Sequence, residues 1–181
     1  MTTLGGVLVV GATSGMGRAI ARQLAKEGHP LLLAGRDTQA LDELATDIQI
    51  RSNTKADCKA FEALDFDSHT EFFDACVEHF GGSLHGVVLC HGQMPEQDVS
   101  ETDFALARRM IEVNYLSGVS LLNLAAHHFE SRKSGFIAAI TSVAGDRGRQ
   151  SNYLYGSSKS ALSTVLAGLR VRLAKSQVTV V

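Results

Sequence analysis

Short, continuously apolar runs alternate along the chain with longer amphipathic stretches. "GVLVVG", "PLLLAG", "LHGVVLC" and "GFIAAITS" are apolar at successive positions, as strands buried on both faces must be. "CKAFEALDF" alternates more weakly, as an outer strand does, and "QVTVV" supplies a sixth strand on which the chain stops. Helical spacing predicts helices from about Gly15 to Glu27, with Ile20, Leu24 and Ala25 inward, over "TQALDELATDIQI", and over "HTEFFDACVEHF" up to Gly81 and Gly82. One long helix is expected from Thr102 to Glu130, and another carries Tyr155 and Lys159. Strands that alternate with helices imply an α/β fold with a parallel sheet covered on both faces. Right-handed crossovers make it doubly wound, so ligands are sought beyond the carboxyl ends of the strands, where the winding reverses.

Composition narrows this picture. At 181 residues the chain fits one domain, residues 1–181, able to bury roughly 70% of its unfolded surface. A net charge of −2 and scattered basic residues argue against a nucleic-acid partner. The amino terminus lacks the basic region of a signal peptide and its apolar run is too short for a bilayer, so no membrane association and a cytoplasmic location are expected. Cys58, Cys76 and Cys90 suit reduced thiols, and the histidines show no metal-ligand spacing.

Three stretches carry candidate chemistry. In "YLYGSSKSAL", Tyr155 and Lys159 lie about one helical turn apart and project from one face. An ammonium held beside a phenol favours the phenolate, which suits a general acid or base. The pair alone more often means a ring covering apolar surface and a solvated amine, and the rest of the chain decides between the two. In "GATSGMG", Gly11, Gly15 and Gly17 stand between a strand and a helix, where bare backbone and a helix amino terminus can receive a phosphate. Thr13, Ser14 and Met16 complete that turn, the two hydroxyls being further donors. Glycines also serve tight turns for structure alone, but this position in a βαβ unit favours a nucleotide. About twenty residues on, where a dinucleotide fold tests the adenosine ribose, "LLLAGRDTQA" offers Gly35 and Arg36. Asp37 is better placed as a helix cap. A guanidinium without a carboxylate favours a 2′-phosphate, hence NADP(H) over NAD(H).

With those residues in order, the chain resembles the short-chain dehydrogenase/reductase family over nearly its whole length. "GATSGMG" is similar to the family's Gly-x-x-x-Gly-x-Gly turn, and "LDFD" offers Asp65 where the family contacts adenine. Asn114 lies in the long helix, and Ser142 precedes the Tyr155-x-x-x-Lys159 pair by thirteen residues. The resemblance implies a Rossmann-type fold and hydride transfer between a nicotinamide and a small carbonyl or alcohol substrate. Tyr155 is then the proton donor or acceptor, and Lys159 favours the phenolate and holds the nicotinamide ribose. Ser142 hydrogen-bonds the substrate oxygen, and Asn114 shapes its helix and holds a water leading to Lys159. Family members usually form homodimers through the helices around Asn114 and Tyr155.

Two departures stand out. Leu89-Cys90-His91-Gly92 replaces the family's Asn-Asn-Ala-Gly, losing an amide but keeping Gly92 near the cofactor. His91 is not required as an acid, since the tyrosine supplies the proton. The chain also ends where the family continues through a Pro-Gly loop, a substrate-binding segment and a seventh strand, so part of a longer polypeptide is expected. "SVAGDRGRQSNYLYGSSK" looks most like reductases of sugar-linked or lipid-linked keto intermediates. Two rival readings are a nucleotide-binding module without turnover and an epimerase or dehydratase that returns the hydride to its own cofactor.

Overall fold

Every residue of β1 (Gly6–Val10) is enclosed, because successive side chains of a strand point to opposite faces and here both faces are covered. In the computed structural model, which describes residues 4–181, β1 is joined by β2 (Leu31–Gly35), β3 (Ala56–Ala60), β4 (Leu84–Leu89), β5 (Gly135–Ala139) and β6 (Val178–Val180). All pair in parallel, in the order β3-β2-β1-β4-β5-β6. The winding reverses between β1 and β4, so the carboxyl ends of those two strands open the crevice expected of a doubly wound sheet.

The helices are α1 (Gly15–Lys26), α2 (Thr38–Ser52), α3 (His69–His79), α4 (Gln97–Thr102), α5 (Phe104–Ile111), α6 (Ser117–Arg132) and α7 (Tyr153–Leu173). Val7, Val9, Leu31 and Leu33 pack with α1 and α2, whereas Leu8, Val10, Leu32 and Ala34 pack with α3, α6 and α7. Phe136, Ala138 and Ile140 extend onto the α1/α2 face and are only partly buried there. Among the described residues no helix is long and apolar enough to cross a membrane.

The structure departs from the expected element bounds at three places. β3 ends at Ala60 rather than running on through Phe66; Phe61 and Ala63 are buried because the loop after the strand folds onto the core. On α1 the fully buried positions are Gly17, Ala21 and Ala25, with Ile20 and Leu24 only flanking them, since the small residues let the helix lie close to the sheet. The long helix is not continuous. It starts at Phe104, where Asp103 caps α5 by accepting from Leu106 N and the short α4 precedes it, and it widens into a π-helical turn over Glu112–Leu116. That wide turn carries Asn114 inward, to 2% exposure.

Candidate functional site

The turn between β1 and α1 is built by glycines with different duties. Gly11 has φ +77°, and a Cβ there would lie 2.5 Å from the His91 backbone nitrogen, so both conformation and space demand glycine. A Cβ on Gly17 would collide with the Gly11 carbonyl. One on Gly15 would meet nothing within 4 Å, which leaves bare backbone facing open space at the start of a helix. Ser14 spends its hydroxyl inside the turn, accepting from Gly17 N at 3.0 Å and donating to the Gly11 carbonyl at 2.9 Å. The Thr13 carbonyl accepts from Arg18 Nε at 3.0 Å, and Met16 projects outward, exposed.

Across from this turn lies a cleft of about 260 Å³ bounded by Gly35, Arg36, the Phe61–Ala63 loop and the Cys90–Gln93 loop. Arg36 is exposed at its rim, and Asp37 caps α2 by accepting from Ala40 N at 3.0 Å. Asp65 does not reach this cleft. It lines an adjoining groove together with Arg36, Phe61 and Glu62, while Glu62 and Ala63 also stand at the cleft itself. The alternation of Phe61 and Ala63, read as a longer strand, is the signal that could have located this loop.

At the carboxyl end of β5 the remaining candidates gather. Lys159 is 4% exposed, and its Nζ donates to the Ile140 carbonyl at 2.8 Å and sits 5.9 Å from the centre of the Tyr155 ring. Burial lowers the Lys159 ammonium below its ordinary range. A Cβ on Gly92 would come within 3.1 Å of Asn114 Oδ1 and 3.5 Å of Lys159 Nζ, so Gly92, Asn114 and Lys159 are close neighbours. Ser142 accepts from Ala144 N at 3.2 Å, opening a short turn that packs on α7. The packing is an interlock of glycines: a Cβ on Gly145 would lie 2.8 Å from Ser160 N, and one on Gly156 would strike the Ala144 carbonyl. The turn bearing Ser142 is thereby pressed against the helix bearing Tyr155 and Lys159.

Asn114 acts through its side-chain amide. Oδ1 accepts from Gln93 N at 2.7 Å, and Nδ2 donates to the Gln93 carbonyl at 2.8 Å and to Ser158 Oγ at 3.1 Å. Ser158 in turn donates to the Tyr155 carbonyl at 2.7 Å, so the Gly92–Gln93 loop and α7 are tied through one buried amide.

The residues that replace the family's amide are electrically quiet. Burial pushes the Cys90 thiol up to about 11, which keeps it protonated and unreactive at neutral pH. Ser117 donates to the Val113 carbonyl at 2.7 Å, so its oxygen is left to accept from His91 Nε2–H, also at 2.7 Å. Part of the His91 ring shows at the cleft, but Nδ1 is enclosed and without a partner. Burial first, then the charges of Lys159 and His69, hold His91 down to about 4.

His91 therefore carries a pH signature. The unfolded chain takes up a proton below about 6.5, whereas the folded one waits until about 4. Stability is lost as pH falls through that window, by about 2 kcal/mol between pH 7 and pH 5. His91→Gln should remove this acid loss, a difference readable in urea midpoints of parent and variant at the two pH values; equal losses would show that His91 is not held neutral.

Comparison with known proteins accords with this geometry. Residues 6–181 match the family model described as short chain dehydrogenase. An uncharacterized oxidoreductase of Staphylococcus saprophyticus is 31% identical over 173 residues, covering 96% of this chain and 74% of that protein. Dehydrogenase/reductase SDR family member 7 of Homo sapiens is 31% identical over 172 residues, covering 93% of this chain and 50% of the human one. Among solved structures, a short-chain dehydrogenase from Sphingobium yanoikuyae in complex with NADPH superimposes with TM-score 0.90 at 24% identity, over 98% of this chain and 68% of that one. An NAD⁺-bound xylitol dehydrogenase gives TM-score 0.88 at 24% identity, over 99% and 69% of the two chains. The match begins at the first residue of β1 and runs to the last residue of the sequence, and the chain belongs to the short-chain dehydrogenase family.

Proposed function

We propose that the protein is an NADP(H)-dependent oxidoreductase that interconverts a small carbonyl compound and its alcohol, with Tyr155 as general acid and base. The observation that carries this reading is the buried Lys159 beside Tyr155, joined by Ser142, at the strand ends next to the glycine turn. The cleft fits a dinucleotide on its own chemistry: open backbone at Gly15, a helix amino terminus, exposed Arg36, and no carboxylate at Gly35. Solved neighbours hold NADPH, 5-hydroxy-NADP or NAD⁺, which supports the same class of cofactor here.

When bound, the reduced nicotinamide supplies a hydride to the carbonyl carbon. Tyr155 gives its hydroxyl proton to the oxygen as charge builds up there, and Ser142 donates a hydrogen bond to the same atom. Lys159, anchored on Ile140, places a positive charge next to the phenol and favours the phenolate left behind. Asn114, Gly92 and Gln93 hold the loop that borders this chemistry.

Pairing of two copies belongs to the same proposal. An apolar groove beside the amino end of α7 is lined by Phe104, Met110, Ile111, Leu116, Tyr153 and Leu154, and Phe104 is 81% exposed. A second copy would cover it. Light scattering at micromolar concentration should give twice the chain mass, and a strict monomer would remove the pairing from the proposal.

Incubation with NADPH and a panel of ketones and aldehydes tests the reaction. Net cofactor oxidation is expected; none would favour a silent binding module, and substrate conversion without net oxidation an epimerase or dehydratase. Tyr155→Phe keeps the ring and removes the proton, so turnover should fall about a hundredfold or more with little change in cofactor affinity. A variant as fast as the parent would end the assignment.

Arg36→Ala removes one charge-assisted contact and should weaken NADPH binding roughly tenfold or more while leaving NADH nearly unchanged. Titration with both cofactors reads this directly. Equal effects on the two would make Arg36 a solvated loop residue.

A further inference from the structure

The first turn of α7 lacks the cap that its position demands. A helix leaves its first four N–H groups without intrahelical partners, yet Asn152, which precedes Tyr153, makes no side-chain capping bond, and its own Oδ1 is enclosed without a partner. The acceptor comes from elsewhere. Gln97 of α4, 9% exposed and 57 positions earlier, accepts from Leu154 N with its Oε1 at 3.2 Å. Its Nε2 donates to Glu101 Oε1 at 3.1 Å, which fixes the orientation of the amide.

We infer that Gln97 is a positioning residue for the reaction proposed above: by capping α7 from outside, it fixes the turn that carries the Tyr155 hydroxyl toward Lys159 and the substrate. Leu154, the residue it grips, is adjacent to Tyr155 in sequence, and the segment from Asp146 to Asn152 makes few other bonds to the body of the protein. Small displacements of a reacting group are costly to rate. Loss of this single acceptor therefore reaches the chemistry without touching the cofactor cleft, which Gln97 does not line.

The inference rests on the reductase reading, so the parent protein is assayed first with NADPH and the carbonyl panel. Gln97→Met keeps the volume and deletes the acceptor. Gln97→Glu combined with Glu101→Gln exchanges the donor and acceptor between the two side chains, and a carboxylate at position 97 still accepts from Leu154 N and favours a helix amino terminus. For Gln97→Met, kcat should fall about tenfold or more, with KM and the NADPH dissociation constant within twofold of the parent. Hydrogen exchange at the 154–156 amides should speed up about tenfold relative to the rest of α7. The exchanged pair should restore both. Should Gln97→Met fail to fold, the exchanged pair and Glu101→Gln alone are compared by the same two readouts, with the pair expected close to the parent. Unchanged exchange would show that Gln97 is no cap, and faster exchange with unchanged kcat would show a cap without a catalytic role. Either overturns the inference. A parent that reduces no carbonyl would instead overturn the reductase reading, and the positioning role with it, even where exchange reports the cap.

Discussion

The arrangement of the site depends on how closely α7 can approach the turn that follows β5. At Gly145 and Gly156 backbone lies against backbone with no room for a side chain on either partner. That contact sets the spacing between the strand end bearing Ser142 and the helix bearing Tyr155 and Lys159. The Lys159 ammonium then bonds the Ile140 carbonyl, closing the same joint from the other side. A long, flexible amine is thus held like a rigid strut, at the cost of its burial, which lowers its affinity for a proton. The sheet supplies the platform for this joint. The central strands β1 and β2 are enclosed on both faces, so the carboxyl ends at the reversal of winding are where polar groups can collect.

Much of this was legible in the chain. Continuous apolar runs located four of the six strands, weaker patterns marked the outer two, and the glycine turn and the Tyr155–Lys159 spacing pointed to the two halves of the candidate site, because each rests on local geometry. What escaped depends on contacts between distant segments. Nothing near Gln97 announces that its amide will cap a helix 57 positions away. The widening over Glu112–Leu116 leaves no mark in the pattern of an amphipathic helix, and β3 was drawn too long because Phe61 and Ala63 are buried by a folded loop rather than by strand pleating. Asp65, which the resemblance to the family offered, lines the groove beside the cleft together with Arg36, Phe61 and Glu62.

The Cys90–His91 pair shows how one polar tie can be exchanged for another. With a protonated thiol at position 90, the loop is held by His91 reaching Ser117 on α6 and by Asn114 gripping Gln93. The loop is anchored to one helical element at two levels, one turn apart, rather than to the neighbouring strands alone. The histidine sits edge-on to Phe61, so the wall of the cleft between the third and fourth strands is aromatic.

The wide turn at Glu112–Leu116 has an evolutionary consequence. It accommodates one residue more than an α-helix would over the same rise, and Asn114 and Val113 owe their inward placement to it. Removing a single residue from it would let the ladder close as ordinary α-helix with the downstream helix keeping its phase, whereas the same deletion elsewhere in the helix would turn everything downstream by about 100°. In that second case Leu121, Leu122, Ala125, Ala126 and Phe129 would swing off the core together, since all five are buried on one side of α6. The wide turn is thus the one stretch of this helix where the chain can lose a residue and still keep α6 on the core, and the inward placement of Asn114 is what such a loss would forfeit.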